Sequence, residues 1–392
     1  MKGNNENNKV MDTSLFHYLV ILISLFFANA VFAQTIKILP NTVIAYPRNY
    51  DNVTLDLSSG SFIIKDNATL TITNSQVLGT LTRKIPNLFV VENGKLVMDK
   101  NVVSIKSSGI AEHPQTQSLE NVIQLTFGNV SLTNNSFKID NYYTAGFLIT
   151  TAIAPSTGLN FVNNKFEGFH GVLYLIASDH SLIKNNTFIR NSYGHIVIIG
   201  NHSTIENNTI MFSGNYRLGN SIDIIDADNV NIINNRIFTP TCHGIYILNS
   251  HNVLVEGNSV FGGITYAMNV YSNPETLAKD DQYLLAFVPH KKMRHMISSN
   301  IKIKNNFMSQ NRFGVAASDT DKLIVENNTF IHRFKDNDSR KFWTDNQILL
   351  QNIKSLTWSN NRYKEAYSQE MSGDDSNSMT LVAFPKKGDV SF

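Results

Sequence analysis

The sequence predicts an all-β chain wound as one right-handed parallel β-helix, a solenoid of about ten or more coils. Two observations carry this expectation. The composition is heavy in Asn, Ile, Val, Phe and Thr and poor in Ala and Glu, which favours strands over helices. An Asn pair, followed by one further residue and then an apolar one, also recurs along the chain. It reads Asn134-Asn135-Ser136-Phe137, then Asn163-Asn164-Lys165-Phe166, Asn185-Asn186-Thr187-Phe188, Asn207-Asn208-Thr209-Ile210 and Asn234-Asn235-Arg236-Ile237. It continues as Gly257-Asn258-Ser259-Val260, Asn305-Asn306-Phe307-Met308, Asn327-Asn328-Thr329-Phe330 and Asn360-Asn361-Arg362-Tyr363. A spacing of about 22 residues with longer outliers is that of stacked coils carrying loops on one side.

The repeat has a physical reading. Asn tolerates the left-handed backbone that a tight corner between short strands requires. Equivalent Asn amides in coils about 4.8 Å apart can hydrogen-bond in a ladder down the axis. Between the pairs lie the apolar stretches 171–176, 196–199, 222–225 and 244–248, whose inward residues are expected to stack into columns. Regular Ile, Val and Phe beside each pair argue against a low-complexity, disordered chain. The regularly spaced Leu of a leucine-rich repeat is missing.

Taken in order, residues 1–33 read as a signal peptide: Lys2 and Lys9, an apolar run from Tyr18 to Phe27, and small residues leading to cleavage after Ala33. Met11 is an alternative start. Residues 34–392 then form a single β-helix domain with an N-terminal cap and an irregular C-terminal cap. Early strands are expected near Val53–Leu57, Ser61–Ile64, Thr69–Thr73, Leu88–Val91 and Lys95–Met98. A loop insertion breaks the period near 273–299, and the step from Asn258 to Asn306 reads as two coils carrying it. After Tyr363 the period fades, leaving a loop at Gly373–Ser376 and a closing strand within Met379–Phe384. A cap is needed there because an open last coil exposes strand edges.

Charge and cysteine usage narrow the function classes. The chain has 33 Lys plus Arg against 31 Asp plus Glu, a balance that gives no support for nucleic-acid binding. Cys242 is the single cysteine, which excludes an intramolecular disulfide and a Cys-based zinc site. An exported protein of the periplasm or exterior, with no membrane attachment after signal cleavage, is the expectation.

Aligning strands on the Asn pairs places Val197, Asp223, Tyr246 and Asn269 in one outward column, and Gly200, Asp226, Asn249 and Ser272 in a second. His195 and His243 stand at strand entrances nearby, and Arg217 lies on the loop before Ser221. The insertion adds Lys291, Lys292 and Arg294, cations suited to a polyanion. The expected catalytic set is Asp223, Asp226, His195, His243 and Tyr246. The expected ligand-binding set is Asn249, Asn269, Tyr271, Arg217, Lys291, Lys292 and Arg294. Each has a plainer reading as a turn cap, a solvated polar residue or a strand aromatic. No cofactor or metal is expected; Asp223 and Asp226 alone would make a thin Ca²⁺ site.

Cys242-His243-Gly244-Ile245 through Asn258, the Met268–Tyr271 strand and the insertion resemble the C-terminal half of the periplasmic mannuronan C5-epimerases of alginate-producing bacteria. Thr69–Asp99, with Gly94-Lys95-Leu96, and Phe169–Phe188 with Tyr193-Gly194 are similar to earlier coils of that family. The resemblance implies a β-helix acting on mannuronate within a polymer, by proton abstraction at C5. The family's Asp-Pro-His-Asp signature is absent; the nearest segments are His195-Ile196-Val197-Ile198 and Asp223-Ile224-Ile225-Asp226, the second keeping two Asp without the His. Three readings stay open: a uronate-polymer epimerase or lyase, a non-catalytic polysaccharide-binding scaffold working with exopolysaccharide export machinery, and a NosD-like accessory β-helix protein. The missing tetrapeptide favours the scaffold; the polar column and basic insertion fit both of the first two.

Overall fold

The computed structural model describes residues 34–107, 121–140, 147–151, 156–191, 194–211, 220–240, 242–263, 265–272, 294–311, 313–331, 348–364, 382–384 and 390–391. The expected signal peptide, Arg217, Lys291 and Lys292 lie outside the described residues. Among those described no helix is long and apolar enough to cross a membrane.

The chain is a parallel β-helix with three strand faces, wound with the right-handed crossovers that parallel strands favour. One coil shows the plan: Ile222–Ile225 on the first face, Asn231–Ile233 on the second, Arg236–Phe238 on the third. Each strand pairs in parallel with its counterpart one coil on, and among the described residues the third face alone is a sheet of 13 strands. The early strands fall at Thr54–Leu57, Phe62–Ile64, Thr69–Thr73 and within Asn87–Asp99. Val382–Phe384 pairs with Leu349, Leu350 and Gln351 as a late strand of the first face.

The two members of each Asn pair divide the work. The first holds the corner: Asn163, Asn185, Asn207 and Asn234 have φ of 58°, 56°, 56° and 55°, and Gly257 takes this place at 68°. That region costs an ordinary L residue about 1–2 kcal/mol and Asn or Gly little. The second turns inward and is buried, except for the half-buried Asn361 of the last pair. Its Oδ1 accepts from both the backbone N–H and the amide of the Asn one coil earlier, as Asn208 does from Asn186 at 2.9 and 3.0 Å. The ladder runs from Asn101 through Asn135, Asn164, Asn186, Asn208, Asn235, Asn258, Asn306 and Asn328 to Asn361.

This ladder corrects the reading of the longest step. The Asn258 amide bonds directly to Asn306, 48 residues on, and Ser259 pairs with Phe307. The step is therefore one coil with a long excursion, not two. Inside the solenoid, Phe137 stacks on Phe166 at 5.6 Å and Phe166 meets Phe188 tilted at 5.1 Å, and Ile210, Ile237, Val260, Met308 and Phe330 continue that column. No coil buries its own core; burial comes from the neighbours above and below.

Candidate functional site

Alternation on the first face builds the site. Ile222 and Ile224, Ile245 and Ile247, Met268 and Val270 all point inward and are buried. The intervening residues therefore point outward. Register puts Val197 opposite Asp223, Asp223 opposite Tyr246, and Tyr246 opposite Asn269. Val197 is itself buried. Asp223, Tyr246 and Asn269 are half-buried, on adjacent rungs about 4.8 Å apart.

A second column lies three residues earlier and holds Asn220, His243, Tyr266 and Phe313. His243 is set in place by Gly244, where a Cβ would come within 2.6 Å of the Ala267 carbonyl oxygen and 2.7 Å of Val260 Cγ1. The imidazole packs between Tyr246 and Tyr266, with ring centroids 5.4 and 5.1 Å away. Its backbone N–H donates to Asn220 Oδ1 at 3.0 Å, and Asn220 Nδ2 donates to Asp223 Oδ1 at 2.6 Å.

The hydrogen-bond network assigns the tautomer of His243. The Thr265 hydroxyl donates to the Cys242 carbonyl, so its oxygen accepts from His243 Nδ1 at 3.2 Å. Nε2 then carries the lone pair and faces the Asn269 amide at 3.4 Å. Burial lowers His243 to about 4, so the ring is neutral at physiological pH. A neutral imidazole beside a phenol is a base next to an acid. Burial, and then the Asp223 carboxylate, push the Cys242 thiol up to about 11, which keeps it from serving as a nucleophile.

The other expected site residues divide differently. His195 is fully buried, with Nδ1 taking the Asn191 amide at 3.0 Å and its ring edge-on to Phe188. In register it stands level with Gly244, one residue past His243, and it is out of a ligand's reach. Asp226 is also buried, at a left-handed corner with φ of 47°. Its Oδ1 accepts the backbone N–H groups of Arg294 and His295 at 2.9 and 3.0 Å, and Arg294 Nε approaches Oδ2 at 3.4 Å. Asp226 and Arg294 thus anchor the returning end of the excursion. That carboxylate is neither an outward catalytic acid nor open to the Ca²⁺ considered above. Asn249 is a buried corner residue with φ of 45°, and Tyr271 is half-buried, pairing with Leu248.

Two expectations arise from these burials. Asp226→Asn keeps Oδ1 for the two backbone N–H donors but sets an NH2 against the Arg294 guanidinium, and should cost about 2 kcal/mol, read as a lower midpoint in chemical denaturation. The second concerns acid. Burial lowers His170 to about 4, His195 to about 3 and His243 to about 4. The unfolded chain protonates these groups near pH 6.5, before the folded chain does, so stability falls as pH drops from about 6.5 toward 4. Each such group contributes up to about 1.4 kcal/mol per pH unit in that window. Thermal unfolding at pH 5 should come well below that at pH 7; equal midpoints would contradict the burial of these rings.

Sequence reasoning missed Asn220, Thr265 and Tyr266. Asn220 and His243 each lie 15 residues before their ladder Asn, so the repeat alignment already held that pair.

The fold defines the molecule as a right-handed parallel β-helix. Residues 146–282, which contain both columns through Asn269, match the family model described as a right handed beta helix region. No curated protein sequence matches the chain. Among solved structures it is similar to the A-module of a mannuronan C-5 epimerase from Azotobacter vinelandii: 14% identity, 90% of this chain and 95% of that one, TM-score 0.40. It is similar to a mannuronic acid specific polysaccharide family 6 lyase from human gut microbiota: 12% identity, 86% and 87% coverage, TM-score 0.42. The periplasmic alginate epimerase AlgG is also similar: 12% identity, 82% and 77% coverage, TM-score 0.39.

Proposed function

We propose that this is an exported protein that binds an acidic, uronate-containing exopolysaccharide along the outward column Asp223, Tyr246 and Asn269 and the half-buried His243 and Tyr266 beside it, and abstracts the C5 proton of a bound uronate. The observation that supports it is the His243–Tyr246 pair, with rings 5.4 Å apart and an Nε2 lone pair beside Asn269. His243 takes the proton alpha to the sugar carboxylate. The Asn269 amide donates a hydrogen bond to the carboxylate as charge spreads onto its oxygens. Asp223 fixes Asn220, and through it the His243 backbone. Bound uronate places a negative charge near His243 and raises its basicity toward neutrality.

His243 and Tyr246 stand on one surface, so they address a sugar ring from the same side. That arrangement favours elimination, in which Tyr246 protonates the departing C4 oxygen while C4=C5 forms, over epimerisation, which needs a donor on the opposite face. The test is incubation with polymannuronate in heavy water. An unsaturated-uronate ultraviolet chromophore is expected. Deuterium at C5 with inversion of that carbon and no cleavage would instead establish epimerisation, with a donor on the opposite face. Polymer binding with neither product would overturn the catalytic reading in favour of a scaffold.

A further inference from the structure

We infer that Asp228, His251 and His295 form a binding site for a divalent metal ion of the zinc class, independently of the polysaccharide reading. The site lies at the corner after the first-face strands, five residues along the chain from Asp223. Asp228 and His251 occupy the same corner position in adjacent coils and pair through an isolated parallel bridge. His295 arrives from the returning end of the excursion. One ligand atom from each of the three lies within 4.8 Å of the other two. His295 Nε2 is 2.8 Å from Asp228 Oδ2, and His251 Nδ1 is 3.8 Å from Asp228 Oδ1.

An ordinary His–Asp hydrogen bond accounts for one imidazole. The second, whose ring centroid lies 3.8 Å from the first, brings its Nδ1 to 3.8 Å from the other carboxylate oxygen. The surroundings also fix the ligand atoms. His251 Nε2–H donates to the Ile297 carbonyl at 2.9 Å, which leaves Nδ1 with its lone pair turned toward Asp228. This imidazole-to-carbonyl bond is the support that metal-bound histidines commonly have. Asp226 holds the His295 backbone at 3.0 Å, and Arg294 Nη1 donates to Asn201 Oδ1 at 3.0 Å, so His295 is delivered on an anchored segment.

Two imidazoles and one carboxylate suit zinc and related borderline ions, where calcium and magnesium prefer all-oxygen shells. The side chains are 35%, 25% and 17% exposed for His251, Asp228 and His295, which leaves an approach for the ion and for a water as fourth ligand. Bound metal would tie the end of the excursion to two coils at once.

The test uses untagged, chelator-stripped protein titrated with zinc chloride, with calcium chloride as the comparison. One zinc per chain and a rise in the unfolding midpoint are expected, with no response to calcium. His251→Ala and His295→Ala should each weaken zinc binding by at least roughly tenfold and remove the rise in midpoint. His180→Ala, in the separate stacked pair with His202, should change neither. Absence of stoichiometric zinc binding by the wild-type chain, or its survival in the His251→Ala/His295→Ala double variant, would overturn the proposal.

Discussion

His243→Gln is expected to lower turnover of a uronate polymer by at least about 100-fold while leaving polymer affinity and the unfolding midpoint close to wild type. Glutamine can still bond to Thr265 and Asn269, but it has no lone pair basic enough to take a carbon-bound proton. His243→Ala should lose as much activity and regain part of it with added imidazole, as expected when the missing group is a base. Tyr246→Phe keeps the stacked ring and removes the hydroxyl, so it separates the proton donor from the platform. If His243 is the base, kcat/KM should fall as pH drops through about 4, the value for the free protein. Full activity in His243→Gln would remove the proposed chemistry and leave the fold untouched.

Asn208→Ala is expected to cost about 4 kcal/mol, against a few tenths for Asn207→Gly next door. The substitution strips the acceptor from the Asn186 N–H and amide, at 2.9 and 3.0 Å, and the donor from the Ile183 carbonyl, at 2.9 Å. All of these groups are buried, so each loses its partner away from bulk solvent. Asn207 only holds φ at 56°, which glycine does as readily. Denaturant midpoints of the two variants give the comparison. Similar costs at both positions would mean that the inward amides do not carry the stack.

The coil was legible because its determinants are local. A left-handed corner, an inward amide and an apolar residue sit within four positions and return with each turn. The outward column Asp223, Tyr246 and Asn269 followed from the same spacing, since alternation leaves a strand residue only two sides. Corners were harder to read. His195 and His243 look alike at strand entrances, yet one residue of offset places the first in the core and the second beside Tyr246. Asp226 also read as an outward acid, because its partners Arg294 and His295 lie 68 and 69 residues away across an aperiodic excursion. The same distance hid the grouping of Asp228 and His251 with His295: no repeat reports where an excursion returns.

Hydrogen exchange of the protein with and without a mannuronate oligomer tests most directly where the ligand binds. Bound oligomer should slow exchange in peptides spanning 220–225, 242–248 and 265–271. Protection confined instead to the third face, at Thr209–Met211, Arg236–Phe238 and Ser259–Phe261, would contradict the account.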